Sequence, residues 1–442
     1  MTSFTPHTDD EVGEMLATIG AGTVDELFET IPADLRLAEP LDLAPGMAEQ
    51  EVVDELARLA ARNRSLDELV CFAGQGAYDH YIPSVVWALA ARSEFSTAYT
   101  PYQPELSQGV LQALFEYQSM ICALTDMEVS NASLYDGATA LVEAVRMSVG
   151  PGRTRVVLAG GVDPRAVETV RTYGAGPALP IEQLAAPEGA GGLPPSLPDD
   201  VAAVVVQHPN VYGILEDVGA WADAAHAAGA RLIEVFDPTS LGVLAPPGEL
   251  GADIAVAEGQ SLGNHLAFGG PYLGILAARM ADVRRMPGRI VGETVDVAGR
   301  TGYVLTLQAR EQHIRREKAT SNICTNQTLM AIVATIHLAW LGPVGLRELG
   351  ERCVANAAYA LETLAAIPGV EPAFPEAPIF KEFTLRLSRP ATPVVDALVD
   401  HGVLGGVPAP WLGDDALTVA VTERRTRAQI DAFADALGQV LA

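Results

Sequence analysis

The spacing of apolar positions changes along the chain, and each change predicts a different kind of structure. In residues 1 to about 75 the run EQEVVDELARLAARN puts Val52, Val53, Leu56 and Leu59 on one helical face, and Asp10-Glu11 opens another candidate helix. This stretch predicts an acidic helical arm. From Glu105 to Leu124 the residues Leu106, Val110, Leu114, Tyr117 and Ile121 recur by three and four, which predicts a helix with Pro104 at its start. Between about 150 and 280, short apolar runs alternate with helical ones. RTRVVLAG, VAAVVVQ, RLIEVFD, ADIAVAEG and YLGILAA read as strands, Asp163-Pro164 as an N-cap and first helical residue, and Glu216 to Ala228 as a helix stopped by Gly229. That βαβ order implies a largely parallel sheet with helices on both faces. After about 320 a long helix precedes PIFKEFTLRL, an alternating strand, and LTVAVTERRT, a strand followed by a helix start. The expected organisation is therefore an arm over 1–75, a large α/β domain over 76–320, and a long helix with a small C-terminal α+β domain over 321–442. Ala185 to Pro198, rich in Gly and Pro, reads as a loop.

Composition narrows the function. The 442 residues carry 28 Lys and Arg against 56 Asp and Glu, a net charge of −28 that repels nucleic acid and anionic lipid. Only 19% of residues are charged while 49% are apolar, and the mean hydropathy is +0.20, which points to apolar surface covered by another subunit. Leu329 to Leu346 contains no Asp, Glu, Lys or Arg, but Pro343 is expected to end a helix there, so a buried core or interface helix is the better reading than a membrane span. The acidic N-terminus and the four scattered cysteines predict a chain of the reducing cytoplasm without a secretory signal.

Lysine is scarce. Lys318 and Lys381 are the two present, and neither follows a glycine as a phosphate-binding P-loop requires. The eight histidines form no metal-ligand spacing, so no metal is expected, and no GxGxxG fingerprint follows the first strand. In an open parallel sheet, ligands sit beyond the carboxyl ends of the strands. Candidate chemistry therefore gathers at Gln207-His208-Pro209-Asn210, at Asp237-Pro238-Thr239-Ser240 and at Glu258-Gly259-Gln260, followed by the turn Phe268-Gly269-Gly270-Pro271.

A strand-end Asp followed by a Gly-rich turn resembles the large domain of fold type I pyridoxal-phosphate enzymes, in which the Asp pairs with the pyridine nitrogen and a lysine before the turn forms the Schiff base. Here that lysine is missing, and Gln260 cannot form an imine. Tyr99-Thr-Pro-Tyr-Gln103, Asn131-Ala-Ser-Leu-Tyr-Asp-Gly-Ala-Thr139, Gly259-Gln-Ser-Leu-Gly263, Leu307-Gln-Ala-Arg-Glu-Gln-His313 and Glu317-Lys-Ala-Thr-Ser-Asn-Ile-Cys-Thr325 together resemble subunit 1 of the two-subunit P-proteins of the glycine cleavage system, over residues 5 to 435.

The resemblance implies a fold type I transferase with a large, mostly parallel seven-stranded-type sheet. It also implies pyridoxal-phosphate-dependent glycine decarboxylation, with the aminomethyl group passed to lipoylated H-protein. The cofactor is then bound covalently by a homologous subunit 2, in a two-plus-two heterotetramer, and this chain has no catalytic residue of its own. Tyr99, Tyr102, Gln103, Thr320, Ser321 and Asn322 become a wall of the partner's active site. Asn131, Ser133, Asp136, His208, Asp237 and Gln260 become a vestigial cofactor pocket, with Thr139 beside them. His208, Asn264-His265 and Lys381 depart from the expected pattern. Two other readings remain open: a stand-alone decarboxylase or lyase using Lys318, and a structural or regulatory pseudoenzyme.

Overall fold

Among the described residues the longest strand, Val201–His208, is built largely of Val and Ala and is buried along nearly its whole length, as a strand covered on both faces must be. In the computed structural model that shows this, residues 6–37, 39, 41–97, 99–185 and 196–442 are described, so most of the Gly- and Pro-rich stretch at 185–198 lies outside them. The chain divides into two units, Met1–Arg64 and Ser65–Ala442.

The first unit contains α1 (Asp9–Ile19) and α2 (Glu49–Ala60). Thr8 caps α1 through a reciprocal bond with Glu11, with Thr8 Oγ1 accepting from the Glu11 backbone at 3.3 Å and Glu11 accepting from the Thr8 backbone at 2.7 Å. Neither helix buries a residue. Met15, Ile19, Leu27, Phe28, Val53 and Leu56 are all exposed.

In the second unit, after a short strand at Val70–Cys71 and short helices at Ser84–Ala90 and Ser93–Ser96, the large sheet and its helices run α3 (Gln108–Thr125), β1 (Val129–Ser130), α4 (Gly137–Ser148), β2 (Arg155–Leu158), α5 (Pro164–Ala175), β3 (Ile181–Gln183), β4 (Val201–His208), α6 (Val218–Ala227), β5 (Arg231–Phe236), β6 (Ile254–Glu258) and β7 (Gly274–Ala278). The seven strands form one sheet in the order β1-β7-β6-β5-β4-β2-β3. All neighbours from β6 to β3 run parallel, and β7 is antiparallel to both β6 and β1. The parallel run brings the carboxyl ends of β2, β4, β5 and β6 to one edge, with the amino ends of α4 and α5 beside them. Asp136 begins α4 by accepting from the Thr139 backbone at 2.8 Å, and Asp163-Pro164 begins α5 as its sequence predicts.

The helix predicted after residue 320 is α7 (Thr328–Ala365). Its first segment ends just ahead of Pro343, as expected, and a second segment follows. The helix breaks at Gly342, whose φ of 58° suits glycine, and resumes at once because a proline in the first turn of the second segment has no intrahelical bond to lose. Among the described residues α7 is the helix long and apolar enough to cross a membrane, yet half of its most apolar window is buried. Met330, Ile332, Val333 and Leu338 pack into the core of the large sheet. Ala357, Ala360 and Leu364 pack into a second core, which lies under an antiparallel sheet in the order β8 (Val370–Pro372), β9 (Glu382–Leu387), β11 (Ala416–Ala420), β10 (Val407–Pro408), with α8 (Ala391–Asp400) and α9 (Arg427–Leu441) against it.

Candidate functional site

Asp237 is the residue after β5, and its carboxylate looks into a cavity of about 430 Å³ at the carboxyl edge of the large sheet. The walls come from Gly137 and Ala138 at the start of α4, Gln207 and Pro209 after β4, Glu258 at the end of β6, the loop Gly74–Tyr78, and Phe380, Lys381 and Glu382 from the small domain. Topology alone makes such a place: parallel strands end together, and a second sheet leans over them.

Asp237 is ion-paired inside this cavity. Lys381 is 1% exposed, and its ammonium donates to Asp237 Oδ2 at 2.7 Å, to Thr239 Oγ1 at 3.0 Å and to His80 Nε2 at 3.0 Å. An ammonium has three protons, and all three are used. The same nitrogen lies 3.5 Å from the centre of the Tyr78 ring, in cation–π contact. Burial alone would raise the Asp237 carboxyl, but the Lys381 charge and the bonds from Lys381 and Thr239 outweigh it and hold Asp237 below its ordinary value. His80 Nδ1 meets Glu423 Oε2 at 2.6 Å, so the imidazole donates there and accepts from Lys381 on its other side. Cys353 lies beside this pair, and His80, Cys353 and Glu423 bring donor atoms within 4.8 Å of one another. Both ring nitrogens are already engaged, which makes the group a hydrogen-bonded chain running from Glu423 to Asp237.

Gln260 is buried behind the loop Gly74–Tyr78 and does not line the cavity. Its amide oxygen accepts from the Tyr78 backbone N–H at 2.8 Å, and its Nε2 donates to the Tyr78 carbonyl at 3.2 Å and to the Asn264 carbonyl at 2.8 Å. A lysine has no acceptor, so in its place the Tyr78 N–H would lose its partner. Glu382 completes the attachment of the loop, accepting from Gln75 N and Tyr78 Oη, both at 2.7 Å.

Elsewhere in the lining, Glu258 accepts from the Gly137 backbone N–H at 3.0 Å, on the first residue of α4. The approach is close: a Cβ on Gly137 would lie 2.7 Å from the Glu258 backbone nitrogen. Burial raises the Glu258 carboxyl to about 7, against the opposing pull of backbone N–H groups from Gly137, Leu273 and Gln260.

The other residues singled out in the sequence are placed differently. Asn131 is buried and donates to the Pro287 carbonyl at 3.0 Å, and Ser133 accepts from Asn326 at 2.8 Å and from Gln327 N at 3.1 Å. Asp136 is the cap of α4. His208 Nδ1 accepts from Glu216 N at 3.0 Å, with burial lowering its pKa to about 4. None of these four lines the cavity. Their positions next to strand ends made them candidates, but each side chain is occupied with backbone. Tyr99, Tyr102 and Gln103 are exposed, with Arg289 5.6 Å over the Tyr102 ring. Thr320 accepts through its carbonyl from Arg146 at 3.0 Å, Ser321 is buried and accepts from Ile323 N at 3.1 Å, and Asn322 is exposed. Lys318 is exposed on a short turn away from the cavity lining. Tyr78 and His80 are residues of the site that the sequence did not single out, while Glu258 stood among the strand-end candidates and Lys381 among the departures from the family pattern, neither with the bonds it makes here. The one available signal was a lysine, rare in this chain, at the mouth of an otherwise buried strand.

The model of the family described as glycine cleavage system P-protein matches residues 2–437. The chain belongs to that family. P-protein relatives described as probable glycine dehydrogenase (decarboxylating) subunit 1 are 49% identical in Desulforamulus reducens, covering 99% of both chains, and 51% identical in Chlorobium limicola, covering 98% of this chain and 99% of the relative. A crystal structure of glycine decarboxylase (P-protein) of the glycine cleavage system, in inhibitor-bound form, is 48% identical and superposes over 100% of both chains with a TM-score of 0.93. The sphingosine-1-phosphate lyase of Burkholderia pseudomallei, 16% identical with a TM-score of 0.65 over 92% of each chain, shares the fold alone. P-proteins thus have the fold type I architecture of pyridoxal-phosphate enzymes, as the sequence leads one to expect. The residues of this cavity do not fit the cofactor. Asp237 is already neutralised, the amino end of α4 already holds a carboxylate, and no amine is free in the lining.

Proposed function

We propose that this chain is the lysine-less subunit 1 of a two-subunit glycine dehydrogenase (decarboxylating). Its homologous partner binds pyridoxal phosphate covalently, glycine is decarboxylated there, and the aminomethyl group passes to lipoylated H-protein. A two-plus-two heterotetramer in the cytoplasm is the assembly proposed. The full-length likeness to P-protein subunits 1 supports this reading, and the observation that carries it is Gln260, bonded in both directions to the Tyr78 backbone where a Schiff-base lysine would be needed. Exposed Tyr99, Tyr102 and Leu106, together with the exposed apolar positions of α1 and α2, supply surface for the partner. In this proposal Tyr99, Tyr102, Gln103, Thr320, Ser321 and Asn322 line the partner's site. A self-sufficient enzyme using Lys318 is disfavoured by the position of that lysine outside the cavity.

The test is an absorbance spectrum of the purified chain with pyridoxal phosphate, alone and with the lysine-bearing subunit, followed by borohydride reduction and peptide mapping. An imine band only in the mixture, with the label on the partner, is expected. A band from this chain alone overturns the reading.

A further inference from the structure

We infer that Lys381 is an internal substitute for the cofactor, an ammonium placed against Asp237 that latches the small domain onto the large sheet and keeps pyridoxal phosphate out. The inference rests on the reading of this chain as the subunit without a Schiff-base lysine, and goes on to say what its retained pocket does.

Three observations converge. A buried Asp at a strand end needs a positive partner, because an isolated carboxylate in the interior is strongly unfavourable. In a cofactor-binding pocket that partner is a protonated ring nitrogen, whereas here it is an ammonium carried on the residue before β9, 144 positions along the chain (381 − 237). Next, the amino end of a helix attracts an anionic group, and at α4 that group is the carboxylate of Glu258 instead of a phosphate. The strand-end Asp and the amino end of α4 are thus both satisfied by the protein. Finally, the segment between them is clamped. Tyr78 is held through its backbone by Gln260 and through its hydroxyl by Glu382, while Asp79 accepts from Arg425 at 2.8 Å and from Arg424. Lys381 contacts both sides of this clamp, the Tyr78 ring and His80 Nε2, as well as Asp237. Large sheet, loop and small domain therefore meet at one nitrogen.

Any cofactor ring seated against Asp237 would have to displace the ammonium and leave Lys381 buried without its counter-ion. The latch and the exclusion of the cofactor are one arrangement. Its product is a subunit with a fixed relation between its two sheets, independent of cofactor supply.

The test uses the complex of this chain with its lysine-bearing partner and three variants of this chain: Lys381→Met, Asp237→Asn, and the two combined. Removing the ammonium alone is expected to lower the thermal midpoint of the chain by roughly 5 °C or more and to open the segment around residues 375–385 to protease. The double variant is expected to regain most of that loss, since no unpaired charge remains. Bound pyridoxal phosphate, counted after dialysis, is expected to be one per pair of subunits for the unaltered complex. A Lys381→Met chain as stable as the unaltered one overturns the latch, as does a double variant no better than Lys381→Met, including the case in which neither folds. Two cofactors per pair, the second released by acid without borohydride label on this chain, overturns the exclusion. None of these outcomes affects the assignment of the covalent lysine to the partner, which the imine band decides separately.

Discussion

Gly213 lies against the backbone carbonyl of Glu382, in a space where a methyl group has no room. Gly213 follows β4 in the large domain with a φ of 88°, and Glu382 is the first residue of β9 in the small domain. The close approach brings Lys381 within reach of Asp237. Replacement Gly213→Ala combines a clash with a left-handed backbone, and we expect it to cost about 2 to 4 kcal/mol of stability. Chemical denaturation of the variant checks this. A loss under about 0.5 kcal/mol would show that the two domains slide freely at this point.

Glu234 on β5 is 1% exposed, with Oε2 unpartnered, and burial raises it from the ordinary 4.5 to about 8. The folded chain keeps this proton while the unfolded chain gives it up near pH 4.5, so the contribution to stability is full below that pH and is lost as pH rises towards 8. Over that window the loss is on the order of 4 kcal/mol. Glu234→Gln removes the titration. The stability of the variant relative to the unaltered chain, measured by urea unfolding from pH 5 to pH 9, is expected to grow with pH, and a flat difference would contradict the assignment.

Tyr102 is exposed and stacked only by Arg289, so Tyr102→Ala is expected to leave the stability of the isolated chain within about 0.5 kcal/mol. In the complex with the lysine-bearing subunit, glycine decarboxylation is expected to fall roughly tenfold, the effect of losing one aromatic contact in a shared site. Activity unchanged by both Tyr99→Ala and Tyr102→Ala would place these rings outside the partner's site.

Four thiols are free, and their surroundings differ. Cys324 is exposed, Cys71 and Cys353 are buried with burial raising each thiol, and Cys122 is half-buried and raised to about 11. A thiol reagent at pH 8 is expected to modify one cysteine per folded chain rapidly, and Cys324→Ser to abolish that phase.

The sheet was readable because its signals are local. RLIEVF and VAAVVVQ carry their strand character in consecutive residues, Asp163-Pro164 and Gly229 mark helix ends, and Asp237 stands one residue beyond its strand. The site was readable only in part, because its decisive partners are distant in the chain. Lys381 lies just ahead of a strand whose alternating pattern shows no reason to bury a charge, and its meaning depends on Asp237 and on the Tyr78–His80 loop arriving from two other segments. Glu258 was visible as a strand-end residue, but its bond to Gly137 comes from the packing of α4 on β6. Conversely Ser133 and His208 looked like pocket residues because polar side chains at strand ends usually face ligands, whereas here the backbone of neighbouring segments uses them first.

The long helix α7 gives Met330, Ile332 and Leu338 to one core and Ala357, Ala360 and Leu364 to the other. A gene cut ahead of Thr328 would strip the large sheet of a covering layer, and a cut behind Ala365 would do the same to the small one. The pieces on either side of that helix are consequently not interchangeable modules. Duplication, fusion or splitting of such genes keeps a folding product only when the whole span from Ser65 onward travels together.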